Sequence, residues 1–146
     1  MVHLLKCADG DVDAVDESGM TPLMLAANWG QTECLHALLR FGADVEASDD
    51  EGHRALHVAA AEGEPACLRA LIEAGSKIDA VDKYRRTALC YAAAFGEIEC
   101  LEVLLEAGAD TATMDCDDMT PLDAAEAEGH EACAAKLRAA KQAVSL

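Results

Sequence analysis

The chain is poor in aromatic and basic side chains. Only five of its 146 residues are Phe, Tyr or Trp, and 11 Lys and Arg stand against 28 Asp and Glu. Scarce aromatics beside 31 alanines argue against a β-sandwich and for helices packed closely through small side chains. The formal charge of −17 argues against a nucleic-acid or anionic-membrane partner, because gripping phosphate takes Lys and Arg. No apolar run approaches the roughly 18 residues that a membrane span needs. Residues 1–6 are too short for a signal-peptide core and are soon followed by acids. The expectation is a chain that is not secreted and that works in the cytoplasm, or in the nucleus. Seven cysteines, an odd number with no Cys-x-x-Cys pair, fit a reducing compartment. Also absent are Gly-x-Ser-x-Gly, a phosphate loop, His-Glu-x-x-His and Gly-x-Gly-x-x-Gly. No enzyme, no cofactor and no metal is therefore expected. The length suits a single domain over residues 1–146, large enough for a real core.

What is present is periodic. Asp16, Asp49, Asp82 and Asp115 are spaced 33 apart, and so are Gly30, Gly63, Gly96 and Gly129. Cys34, Cys67, Cys100 and Cys133 keep the same step, as do Gly42, Gly75 and Gly108. Four periods without a gap mark an array of repeats. Each period has the same grammar. Thr21-Pro22-Leu23 supplies an N-cap followed by the residue best suited to the first helical position. A short helix with Leu25, Ala26 and Ala27 runs to Gly30, where a left-handed residue is wanted. A second helix carries Cys34, Leu35, Leu38 and Leu39 on one face and ends at Gly42. The stretch from Val45 to Gly52 has no helical period and reads as an extended loop.

The motifs Asp-x-x-Gly-x-Thr-Pro-Leu, Ala-Ala-x-x-Gly and Leu-Leu-x-x-Gly-Ala-Asp resemble the ankyrin repeat. The resemblance spans nearly the whole chain and implies an all-α solenoid of stacked helix-turn-helix units with projecting loops. The units are expected at 16–48, 49–81, 82–114 and 115–146, with residues 1–15 as a partial N-terminal repeat or cap. Asp11-Val12-Asp13-Ala14 mirrors Asp44-Val45-Glu46-Ala47 and suggests that tail. Departures from the pattern are informative. Arg54 stands where the capping Thr belongs, and Arg85 and Asp118 stand where the loop Gly belongs. The family's turn His is present as His57 alone; Met24, Cys90 and Asp123 replace it. In the last unit Ala134, Lys136 and Arg138 stand where earlier units carry apolar residues, giving the polar outer helix that a terminal capping repeat needs.

Most titratable residues have structural readings. Equivalent helices about 8–10 Å apart cannot bring the four periodic cysteines within disulfide reach, so these read as small core hydrophobes. Cys116, on a loop, reads as exposed. His53 and His57 form a His-x-x-x-His pair with no third ligand nearby and read as structural. Asp49-Asp50-Glu51 and Lys83-Tyr84-Arg85-Arg86 lie on successive loops, either neutralising each other or forming a docking strip of two signs.

The aromatics point to function. Tyr91 is in register with Leu25 and Val58 and reads as core. Trp29 and Phe95 share one register position with Glu62 and Glu128, and a core position does not accept Glu in alternate repeats. That position must be open. Tyr84 falls on a loop tip in register with Ser18 and Glu51. The resemblance implies that inner-helix ends and loop tips line a concave partner-binding face. Candidate contacts are therefore Met20, Trp29, His53, Glu62, Tyr84, Arg86, Phe95, Met119 and Glu128. The expected function is non-catalytic recognition, by a monomer, of a partner protein or peptide bearing basic and apolar residues. Two alternatives stand beside it. Asp79-Ala80-Val81-Asp82-Lys83, Thr87-Ala88-Leu89 and Tyr91-Ala92-Ala93 resemble the ankyrin domains of factors that escort membrane proteins to the chloroplast envelope. That alternative is a targeting factor or holdase for hydrophobic segments. The other is the regulatory domain of a larger enzyme.

Overall fold

The computed structural model describes residues 12–145, with side chains described through residue 140. The proposed N-terminal cap at 1–15 lies largely outside the described residues. Helices come in pairs. The first members are α1 (Pro22–Asn28), α3 (Ala55–Glu62), α5 (Ala88–Ala94) and α7 (Pro121–Ala127). The second members are α2 (Thr32–Arg40), α4 (Pro65–Glu73), α6 (Ile98–Glu106) and α8 (Glu131–Ser145). Each first helix packs on the next first helix and each second on the next second, giving two layers in an α-solenoid.

The helix starts follow from their caps. The hydroxyls of Thr21, Thr87 and Thr120 accept the N–H of Met24 (3.2 Å), Cys90 (3.3 Å) and Asp123 (3.2 Å). Arg54, at the equivalent place, makes no side-chain cap bond. His57 compensates from the third helical position: its Nδ1 accepts the Arg54 N–H at 3.0 Å. Arg54 meanwhile turns back and donates from Nε to the Glu46 carbonyl at 3.1 Å.

Between the layers the first helices present alanine and the second leucine. Ala26, Ala27, Ala59, Ala60, Ala92 and Ala93 are fully buried, facing Leu35, Leu38, Leu68, Leu71, Leu101 and Leu104. Small methyl groups let neighbouring helices approach closely, which is why so few aromatics suffice. The four periodic cysteines are buried in this core and Cys116 is exposed. In α8 Lys136 and Arg138 are exposed, reaching Glu102 at 2.9 Å and Glu126 at 2.6 Å.

The periodic aspartates organise the loops. Asp49 Oδ1 accepts the N–H of Glu51 (2.9 Å) and of His53 (2.8 Å), and Asp16, Asp82 and Asp115 repeat this clamp. Successive loops are joined by Asp50 N–H to Ser18 O, Lys83 N–H to Glu51 O and Cys116 N–H to Tyr84 O, at 2.9–3.1 Å. At Gly52 the chain is left-handed (φ 80°), and a Cβ there would sit 2.9 Å from the Lys83 nitrogen. Arg85 and Asp118 hold that left-handed turn without glycine, at φ 64° and 61°.

Candidate functional site

Two rows of side chains run along the face made by the first helices. One row precedes the helix starts: Met20, His53, Arg86 and Met119, all half-buried. The other stands at the helix C-termini: Trp29, Glu62, Phe95 and Glu128, all exposed. Trp29 is 69% and Phe95 55% exposed. The open position inferred from alternating Glu is therefore open.

Two hollows lie between the rows, one on each side of α5. The first, about 300 Å³, is bordered by Met20, His53, Glu62 and Phe95 over a floor of Val58 and Tyr91. The second, about 410 Å³, is bordered by Arg86, Phe95, Met119 and Glu128, with Tyr91 and Asp115 in its wall. The structure thus brings together seven of the nine candidate contacts, Phe95 and six around it. Trp29 and Tyr84 lie outside both hollows.

Tyr91 corrects the reading of it as core. It is half-buried, stacks on Phe95 with ring centroids 6.3 Å apart, and forms the ridge between the hollows. A phenol is too large for the space alanine fills, and its hydroxyl needs a partner. Tyr91 donates it to the buried Asp82 Oδ2, and His53 Nε2 lies 3.1 Å from the same hydroxyl. Burial, reinforced by that carboxylate, holds the Tyr91 phenol well above its ordinary pKa. The same register position is otherwise Leu25, Val58 and Ala124, all half-buried, and apolar residue types gave no signal of that.

The charged candidates are more engaged than their sequence positions suggest. His53 is held between Asp49 Oδ2 (3.1 Å) and Asp82 Oδ2 (3.3 Å). The Arg86 guanidinium lies 5.5 Å from the Tyr84 ring and 6.0 Å from the Tyr91 ring, with Nε 3.6 Å from Asp115. Burial works against ionisation of Asp115. The N–H groups of Met119 and Asp117, with Arg86, outweigh it and keep that carboxyl below its usual value. Glu51 accepts from Lys83 at 2.6 Å and from the Tyr84 hydroxyl at 2.9 Å. One ion pair, Lys83 with Glu51, thus joins the two loop clusters, while Arg86 turns to Asp115 and Asp49 to His53. Glu62 and Glu128 make no ion pair among the described residues. No group of three or more metal-ligating side chains occurs among the described residues, and none of their helices is long and apolar enough to cross a membrane.

A family model described as ankyrin repeats (3 copies) matches residues 1–82 and 74–144. A stretch of 43 residues is 49% identical to part of a rice protein (Oryza sativa subsp. japonica) named probable E3 ubiquitin-protein ligase XBOS31. The match covers 30% of this chain and 10% of that protein, so the chain spans about a tenth of that relative's length.

Proposed function

The chain belongs to the ankyrin-repeat family, and from that premise we propose that it is a non-catalytic recognition module whose concave face, bordered by the two rows, binds a partner protein or peptide. Ankyrin repeats are protein-interaction modules, and the family is generally non-catalytic. The observation that carries the finer reading is the exposure of Trp29 and Phe95, the latter at the border of two apolar hollows, on an otherwise acidic chain. An aromatic side chain has about 150–250 Å² to bury. Covering the exposed half of each yields roughly 2–3 kcal/mol at about 25 cal/mol per Å². Met20 and Met119 add adaptable apolar area. Glu62 and Glu128 favour a partner with Lys or Arg and speed its approach.

The test compares partner capture from cell extract by the parent chain and by a Trp29→Ala, Phe95→Ala double variant, with urea unfolding of both. The expected result is lost capture with nearly unchanged unfolding, because exposed positions make little core. Undiminished capture by a folded double variant overturns the reading.

The match to a tenth of a protein named as a ligase favours a second reading, a regulatory or recognition array working beside a separate catalytic domain. Isolating the native protein with its associated chains tests it. Absence of any catalytic domain, in cis or in stable complex, overturns it.

A further inference from the structure

We propose that this face takes a basic, proline-rich peptide in the polyproline II conformation, with every third residue seated in turn on Trp29, Glu62, Phe95 and Glu128. The inference rests on the docking-face reading above and names the occupant.

The first argument is charge. Along the outer row aromatic and acid alternate at each repeat. Glu62 is the last residue of α3 and Glu128 is the C-cap of α7. A helix C-terminus carries about half a negative charge, so an acid there opposes its own helix. Neither Glu has an ion-pair partner among the described residues to offset this. A guanidinium or ammonium brought by a partner meets the carboxylate and the helix end together. Two cationic subsites therefore flank Phe95, and one aromatic subsite lies beyond Glu62 at Trp29.

The second argument is spacing. Neighbouring first helices lie about 8–10 Å apart, so the subsites advance by that step. A β-strand covers it in about three residues, but its two-residue period sends the third to the opposite face. An α-helix covers it in about seven residues on one face, yet is about 10–12 Å across with side chains. The floor between the rows is the length of one first helix, seven residues, or about 10 Å at 1.5 Å each. Tyr91 lines both hollows within that width and Arg86 borders the second. A helix about as wide as that floor seats less readily between the rows. Polyproline II repeats every three residues and about 9.3 Å, returning each third side chain to the same face. The period and the reach both match.

The third argument is the surface itself. The stacked Tyr91 and Phe95 rings offer flat apolar faces beside the hollows, the kind of wall against which prolines pack. A preformed polyproline segment also loses little conformational freedom on docking. The occupant is then a ten-residue segment, about 28 Å long, with the order apolar, basic, apolar, basic at three-residue steps.

The experiment uses the full chain and three synthetic peptides, followed by calorimetry and by the fluorescence of Trp29, the only tryptophan. The first is Leu-Pro-Pro-Arg-Pro-Pro-Leu-Pro-Pro-Arg. The second has the same composition with Leu and Arg at two- and four-residue steps. The third is a helical peptide presenting the groups at seven-residue steps. The expected result is that the first binds at least about tenfold tighter than the others, and that Glu62→Gln with Glu128→Gln removes the advantage. Raised salt should mimic that double variant. Equal binding of the permuted peptide, tighter binding of the helix, or no binding of the first peptide overturns the proposal. Partner capture by the Trp29→Ala, Phe95→Ala variant separates the two failures. If capture is lost although the peptides do not bind, only the occupant is wrong; if capture persists, the docking face falls as well.

Discussion

Acidification should destabilise the array through one imidazole. His57 is 2% exposed and fully bonded. Its Nδ1 accepts from Arg54 N–H at 3.0 Å, so Nε2 carries the proton and points to the carbonyls of Ala80 (2.9 Å) and Arg86 (3.1 Å). Protonating Nδ1 would break the first bond and place a charge in the core. Burial accordingly lowers the His57 pKa, outweighing the Ala80 carbonyl and the Asp82 charge, which raise it. With the folded pKa below the unfolded one, near 6.5, the unfolded chain takes up the proton first as pH falls. The stabilisation is therefore complete above about pH 6.5 and is lost below it, until the folded pKa is reached. An imidazole that stays neutral in the fold sets the ceiling: between pH 7.5 and 5.5 the loss is about 1.4 kcal/mol. The comparison is His57→Met, since Met24 fills the same register position in the first repeat, fully buried. At pH 7.5 the variant should be less stable by about 1–3 kcal/mol, because buried backbone groups lose their partner. Urea unfolding at both pH values, followed by circular dichroism, reads both effects. The gap between parent and variant should narrow on acidification by up to the ceiling. A gap that stays constant or widens refutes a buried, neutral His57.

Other substitutions probe the same register. Ser76 is buried where other repeats carry Ala43 and Ala109, and its hydroxyl has no hydrogen-bond partner; Ser76→Ala should raise stability by about 1 kcal/mol, and a lower urea midpoint contradicts this. Arg54→Thr should gain a cap bond worth about 0.5–2 kcal/mol but lose the Arg54 contacts to Glu46 (3.1 and 3.8 Å). The net should be a stabilisation below about 1 kcal/mol, and a destabilised variant would show that the loop tether outweighs the cap. Under native conditions Cys116 should react with a thiol reagent well before Cys100, whose thiol burial pushes up to about 12; labelling of Cys100 at the same rate would mean that the second layer opens readily.

The sequence by itself determined everything that repeats. The thirty-three-residue step of Asp, Gly and Cys encodes local geometry: an aspartate clamping its own loop, a hydroxyl capping its own helix, a glycine taking a left-handed turn. Such interactions lie within a few residues, so they are legible without a fold. The openness of the Trp29 and Phe95 position was legible too, because Glu62 and Glu128 share it. What only the tertiary structure decided is how neighbouring repeats use the side chains the register leaves free. Tyr91 sits at the edge of the core rather than inside it, its hydroxyl bonded to Asp82 and its ring stacked on Phe95 one helical turn further on. Arg86 was drawn between two tyrosine rings and Asp115 of the next loop. Arg54 abandoned its own helix start for Glu46, leaving His57 to take the cap N–H. The Arg86–Asp115 and Arg54–Glu46 contacts cross from one repeat to the next, and the contact of Tyr91 with Asp82 depends on how a loop folds back on its own helix; burial and packing set these distances, and a one-dimensional period does not contain them.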